Sequence, residues 1–249
     1  MKIVGVIPAR YSSTRFPGKP LADILGKPMI WWVYARVSEA IQETYVATDD
    51  DRIAEVCDTF KIPFIMTSKD CSTSTERVFE VSCIIESDVY VCVNGDEPLI
   101  DPNIIKSVIP SKLNEFYAAN LMTAITDPVE VVDNTNIKVV TDDSNNALFM
   151  SRNPIPYPRG TMEYKFYKHL GVLAYSKDAL CFFVETSKGR NEMIEDVNEL
   201  RFIEHGKHLK MIEVASKSLS VDTPKDLEHV RNLAKNYTNE RFINENQRS

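Results

Sequence analysis

Three cations, Arg10, Arg15 and Lys19, stand within ten residues of one another, with Ser12, Ser13, Thr14 and Gly18 among them. These residue types suit a polyphosphate: guanidinium and ammonium groups, hydroxyls and backbone N–H donors can together meet the about four negative charges of a triphosphate. Neither G-x-x-x-x-G-K-[ST] nor G-x-G-x-x-G is present, which argues against a P-loop NTPase and against a dinucleotide oxidoreductase. A solvated basic loop that merely caps a sheet is the other reading of the same composition. Arg10, Asp49 and Asp96 each follow an apolar run closely, and in a parallel sheet such strand-end residues share one crevice.

The elements that must position these residues can be read from periodicity. Lys2–Ile7 is an apolar run suited to a buried strand, ended by Pro8; Thr44–Thr48, Pro63–Met66 and Val89–Val93 read as further strands. Between them, helices are predicted from Pro28 to Ala40, where Met29, Val33, Val37 and Ala40 recur at helical spacing, from Asp51 to Phe60 and from Thr75 to Ile85. Strands alternating with helices imply right-handed parallel crossovers, hence an α/β doubly wound, mostly parallel sheet. The second half changes texture: Leu121–Ile125, Ile137–Thr141, Ala147–Met150 and Leu170–Tyr175 read as strands with few helices between them. Helices are predicted at Lys177–Glu185, Glu192–Glu204 and Pro224–Lys235, the last capped by Thr223 and preceded by a strand at Leu219–Val221. The expectation is one domain over residues 1–235, with a smaller mixed-sheet lobe inserted at about 126–175, and a polar tail over 236–249.

The 249 residues carry 29 Lys+Arg against 36 Asp+Glu, a net charge of −7. That excludes a global electrostatic grip on nucleic acid or a basic membrane-docking surface, so a polyphosphate must be held by a local pocket. No apolar run approaches the ~20 residues of a membrane span. Five cysteines at no C-x-x-C spacing argue against a disulfide framework or zinc knuckle, and the expected setting is a reducing cytoplasm.

The stretch Ile7-Pro-Ala-Arg-Tyr-Ser-Ser-Thr-Arg-Phe-Pro-Gly-Lys-Pro-Leu21 resembles the signature loop of the CMP-3-deoxy-manno-octulosonate (CMP-Kdo) synthetases, cytidylyltransferases that activate an eight-carbon acidic sugar for lipopolysaccharide. The resemblance runs on through Ala47-Thr-Asp-Asp50, Ser74-Thr-Glu-Arg77, Gly95-Asp-Glu-Pro98, Ser151-Arg-Asn-Pro-Ile-Pro156, Lys168-His-Leu-Gly171 and Val221-Asp-Thr-Pro224. It implies a glycosyltransferase-A-like nucleotide-binding fold, a Mg2+ requirement and a homodimer built largely through the second half. It also implies transfer of CMP from CTP to Kdo or a Kdo-like acid with release of pyrophosphate. Arg10, Lys19 and Asp96 would be catalytic. Pro8, Ala9, Ser13, Arg15, Ser74, Thr75, Arg77 and Asn94 would join those three in binding the nucleotide.

Asp96 and Asp222 are the candidate metal ligands, because Mg2+ takes a few carboxylate oxygens alongside substrate phosphates and water. Asp96 follows Gly95 and precedes Pro98 in a sharp strand-end loop; Asp222 precedes a helix start, where a capping acid is the commoner role. The proposed reaction is in-line attack of an acceptor hydroxyl on the α-phosphorus of CTP. A different acidic or phosphorylated acceptor, a non-catalytic nucleotide-binding relative and a pyrophosphate-releasing hydrolase are the alternatives.

The acceptor side departs from the family pattern. Asn94 replaces the usual Gln of Gln-Gly-Asp-Glu-Pro, Cys71-Ser-Thr-Ser-Thr-Glu-Arg77 lacks the usual His and Gly, and Asn198-Glu-Leu-Arg201 replaces Glu-Gln-Leu-Arg. By resemblance, Asn94, Arg152, His169, Asn198 and Glu199 would face the acceptor. Trp31 and Trp32 read as packing, Asp49–Asp51 as strand-end and capping acids, and His205 with His208 as solvated.

Overall fold

A computed structural model describes residues 1–12, 16–113, 115–160, 163–216 and 219–246, with side chains as far as residue 235. The first half runs β1 (Ile3–Ala9), a 3₁₀ turn (Lys19–Leu21), β2 (Asp23–Ile24), β3 (Lys27–Pro28), α1 (Met29–Ala40), β4 (Thr44–Thr48), α2 (Asp51–Thr59), β5 (Phe64–Met66), α3 (Ser74–Ile84) and β6 (Val89–Val93). The second half runs α4 (Pro102–Lys106), β7 (Ala118–Ala124), α5 (Pro128–Val132), β8 (Lys138–Thr141), β9 (Ala147–Ser151), β10 (Tyr167–Tyr175), α6 (Lys177–Glu185), α7 (Arg190–Glu195), α8 (Leu200–Glu204), β11 (Lys210–Glu213) and α9 (Pro224–Asn246).

The main sheet is ordered β11-β7-β10-β6-β1-β4-β5. β6, β1, β4 and β5 are parallel neighbours and β11 is parallel to β7, while β10 runs antiparallel between β6 and β7. β8 pairs with the start of β10 and with β9, an antiparallel extension of the sheet in the second half. Successive side chains of a strand point to opposite faces, and β6 divides accordingly. Val89, Val91 and Val93 enter a core shared with α1, α2 and α9, whereas Tyr90 and Cys92 enter one shared with α3, α6 and α8. Helices therefore cover both faces, the α/β doubly wound arrangement expected.

The differences from the sequence reading have local causes. Pro8 lies inside β1 rather than ending it, because beyond Val6 that strand is paired with β4 only, and the missing N–H interrupts no ladder to β6. The single helix predicted over Glu192–Glu204 is broken into α7 and α8: Asp196 adopts the left-handed conformation (φ 52°, ψ 51°), which a short polar side chain tolerates. Across the break Arg201 grips Glu192 through Nε at 2.8 Å and Nη2 at 2.5 Å, with both side chains 3 % exposed. Leu219–Val221 forms no strand among its described residues; the Val221 N–H instead bonds the Asp96 carbonyl at 2.9 Å. The edge strand β11 carries too little alternation to be recognised. Helix α9 continues past Lys235 to Asn246, a stretch free of proline and glycine.

Thr223 does cap α9. The Asp226 N–H reaches its Oγ1 at 3.3 Å, and Asp226 Oδ2 accepts the Thr223 N–H at 2.8 Å. Trp32 is packed, its indole N–H donating to the Ile24 carbonyl at 2.9 Å, with Trp31 edge-on to it. Asp50 caps α2 through the Arg52 N–H at 3.0 Å, and His205 and His208 are exposed.

Candidate active site

Two sharp backbone turns bring the cationic loop against the end of β6. Gly18, at φ 72°, donates its N–H to the Tyr11 carbonyl at 2.9 Å and lies against the Tyr11 ring; it directly precedes Lys19. At Gly95 a Cβ would come within 3.0 Å of the Pro8 carbonyl oxygen, so the absence of a side chain lets the Asn94–Pro98 loop pack on the end of β1. As a result Lys19 Nζ stands 2.9 Å from Asp96 Oδ2 and 3.5 Å from Asp222 Oδ1. The two acids, 126 positions apart in the sequence, meet at one ammonium. Asp226, not Asp222, serves as the capping acid of α9, and its Oδ2 also accepts the Asp222 N–H at 3.1 Å.

A cavity of about 540 Å³ opens above β1 and β6. Of the residues predicted to bind nucleotide, Pro8, Ala9, Arg10, Lys19, Ser74, Arg77, Asn94 and Asp96 line it. Ser13 and Arg15 lie outside the described residues. Thr75 lines neither this cavity nor the next: it is buried, with its hydroxyl 3.3 Å from that of Tyr175. Arg77 is held from behind, by the Thr67 hydroxyl and by Asp49 Oδ2 at 3.1 Å. Asp49 therefore serves Arg77 and does not join Arg10 and Asp96 in the cavity lining. Cys71 is in the wall, but its Sγ is 3.2 Å from Glu80 Oε1, and burial with that carboxylate pushes the thiol up to about 12, too high for a thiolate nucleophile.

A second cavity of about 490 Å³ adjoins the first. Asn94, Arg152, His169, Asn198 and Glu199, the predicted acceptor residues, all line it. Asp96 and Asp222 belong to both linings, as do Ser74, Asn94, Asp196 and Asn198. Among the described residues, His169 Nδ1 is buried without a hydrogen-bond partner; burial, reinforced by the Arg152 cation, lowers the imidazole to about 4, so it is neutral at pH 7. Arg152 is preset by three carbonyls: Nε to Glu195 at 2.8 Å, Nη1 to Asn134 and Nη2 to Asp196, both at 3.1 Å.

Several positioning groups escaped the sequence reading. Between His169 and Leu173 strand β10 bulges out of register with β7, and buried Asn120 bridges the bulge, its Nδ2 donating to Leu170 O at 2.7 Å and Val172 O at 2.9 Å. The bulge presents Gly171 to the Asn94–Pro98 loop: its N–H donates to buried Glu97 Oε1 at 2.8 Å, and its carbonyl accepts the Asn94 N–H at 2.8 Å. Lys138, fully buried, donates to the carbonyls of Asp133 (2.8 Å), Asn136 (2.7 Å) and Arg152, and burial lowers its pKa. Lys168 pairs with Glu130 at 2.9 Å. The motifs Gly95-Asp-Glu-Pro98 and Lys168-His-Leu-Gly171 contain Glu97 and Gly171 without indicating these contacts, and Asn120 and Lys138 belong to no motif.

Residues 4–212 match the family model described as cytidylyltransferase. The 8-amino-3,8-dideoxy-manno-octulosonate cytidylyltransferase of Shewanella frigidimarina (strain NCIMB 400) is 43 % identical over 235 residues, 91 % of this chain and 96 % of that protein. Its counterpart from Shewanella woodyi (strain ATCC 51908 / MS32) is 42 % identical over the same shares. Among solved structures, that of CMP:2-keto-3-deoxy-manno-octonic acid synthetase complexed with CTP has a TM-score of 0.88 and 38 % identity, covering 95 % of this chain and 100 % of that one. The inositol-1-phosphate CTP transferase from T. maritima, with a TM-score of 0.65, 15 % identity and 94 % of each chain covered, shares the fold. A match of this extent makes the chain a member of the cytidylyltransferase family, the CTP-dependent nucleotidyltransferases.

Proposed function

We propose that this chain transfers CMP from CTP to a 3-deoxy-octulosonic acid, either the 8-amino-3,8-dideoxy sugar or Kdo, and releases pyrophosphate. The observation that carries the proposal is the common wall of the two cavities: Asp96 and Asp222, with Lys19 between them, border both spaces. A nucleotide in the first cavity and a sugar in the second would meet there, which is the proximity an in-line displacement needs.

Arg10 and Lys19 would bind the phosphates and offset the charge that builds on the leaving pyrophosphate. Asn94, Arg152 and His169 would orient the acceptor, Arg152 through guanidinium N–H groups left over from its three carbonyl bonds and neutral His169 through Nδ1. The acceptor hydroxyl gives up its proton to solvent as its oxygen bonds to the α-phosphorus and the bond to pyrophosphate breaks, and no side chain is covalently modified on the way. The donor set fits Mg2+: the Lys19 ammonium already occupies a cation position between Asp96 and Asp222, and two carboxylates suffice for an ion that keeps water and phosphate ligands. Mg2+ held there supplies positive charge to the α-phosphate. Cytoplasmic residence agrees with five unpaired cysteines. A homodimer through the second half agrees with the exposed Val129, Val132, Leu148 and Tyr157.

Pyrophosphate release from CTP and Mg2+ tests the proposal, measured with and without each sugar. Release only with sugar is expected. Release without sugar would indicate a hydrolase, and none under either condition a non-catalytic relative.

A further inference from the structure

The wall of the acceptor cavity that is not shared with the nucleotide contains one carboxylate with no counterpart. Glu199 is 7 % exposed, lines only the second cavity, and has no hydrogen-bond or ion-pair partner outside its own backbone among the described residues. The nearest cation in the sequence, Arg201, is committed to Glu192 through two N–H groups and to the Phe183 carbonyl at 2.8 Å. The other acids in this part of the wall are occupied: Glu97 by the Gly171 N–H, Glu130 by Lys168, Asp133 by Thr135, and Asp226 by Thr223. Among the described residues, eight carboxylates line the cavity against two lining cations, Arg152 and Lys168, with Lys19 set between Asp96 and Asp222; none of these three cations is paired with Glu199.

A carboxylate buried without a cation is unfavourable unless a ligand brings the missing charge. Burial and the Glu192 charge both raise the Glu199 pKa, the direction a bound cation would reverse.

We propose that Glu199 is the specificity-determining residue that pairs with an ammonium group on the acceptor, at the end of the sugar remote from the reacting hydroxyl. The reacting hydroxyl belongs at the Asp96–Asp222 wall, so the far end of an extended eight-carbon acid falls to the unshared part of the lining. There the 8-amino and 8-hydroxy sugars differ by one cation. This inference rests on the cytidylyltransferase reading of the same cavity and adds the residue that discriminates between its two candidate substrates.

The test is steady-state kinetics with CTP and Mg2+, using 8-amino-3,8-dideoxy-manno-octulosonate and Kdo in parallel, on the unmodified chain and on Glu199→Gln. The unmodified chain is expected to favour the amino sugar in kcat/KM. Glu199→Gln, which keeps the shape and removes the charge, is expected to lose about 10- to 100-fold in kcat/KM on the amino sugar, at least about tenfold more than it loses on Kdo, so that the preference between the two sugars collapses. Equal use of both sugars by the unmodified chain overturns the assignment without needing the variant. An equal loss on both sugars in Glu199→Gln also overturns it, since that is the signature of a structural role. Turnover of neither sugar by the unmodified chain counts against the cytidylyltransferase reading instead.

Discussion

Gly171→Ala adds one methyl group at the point where the bulge of β10 touches the Asn94–Pro98 loop. A Cβ at this position falls 2.8 Å from both Asn94 Nδ2 and Glu97 Oε1, and 2.9 Å from Asn94 Cβ. Ordinary contacts of these atoms begin near about 3.4 Å, so two residues must retreat by about half an ångström, and a Cβ cannot do so without its backbone. The bond from the Gly171 N–H to Glu97 lengthens or breaks, leaving a nearly fully buried carboxylate short of a donor, a loss of about 1.5–3 kcal/mol. For a domain of this size that corresponds to a fall in melting temperature of about 4–8 °C. The loop also carries Asp96. A displacement approaching 1 Å of a positioned group costs on the order of 10²-fold in rate, so a shift half as large is expected to lower kcat/KM for CTP by about tenfold or more. Thermal unfolding and initial rates measured on the same preparation check both figures. A variant with unchanged melting temperature and unchanged kcat/KM would refute the claim that the bulge holds the loop in place.

Lys19→Met removes the ammonium that stands between Asp96 and Asp222. Without nucleotide, Mn2+ binding followed by spin resonance or calorimetry should tighten by about fivefold, the equivalent of a partly exposed ion pair of about 1 kcal/mol, while turnover with CTP falls; unchanged or weaker Mn2+ binding removes the ion site. The depressed pKa of His169 gives a pH signature. Its folded value of about 4 lies below the ordinary 6.5, so the unfolded chain binds more protons between those values, and the stability contribution, complete above about 6.5, is lost as pH falls towards 4. His169→Gln should remove that part of the acid-side slope in denaturant titrations, and the imidazole resonance assigned to His169 should titrate near 4; a midpoint near 6.5 contradicts the burial argument.

The parallel half of the molecule was legible because its strands are unbroken apolar runs and its helices carry a clear period, which are local properties. The meeting of Asp96 and Asp222 was legible because Asp96 follows Gly95 and Asp222 precedes Pro224, each inside a motif of the family resemblance. Asp49 was misjudged for a different reason: its position at the end of β4 was right, but Arg77, 28 positions later, takes up its carboxylate. The break at Asp196 replaces a helical turn with a left-handed residue, and nothing in the alternation of Glu192–Glu204 announces it. Asn120, Glu97 and Lys138 stabilise backbone that lies distant in sequence or irregular in path, so composition and spacing carry no trace of their roles.

Lys138 deserves its place in this chemistry through what it does to its surroundings. With three backbone oxygens around one ammonium it behaves as a captive alkali ion, and the oxygens belong to residue 152 and to the turn at 133–136. This rim of the second cavity is thereby assembled when the chain folds, ahead of any encounter. Association then need not order that rim afresh, and selectivity among sugars can change through side chains facing the space without rebuilding the scaffold beneath them.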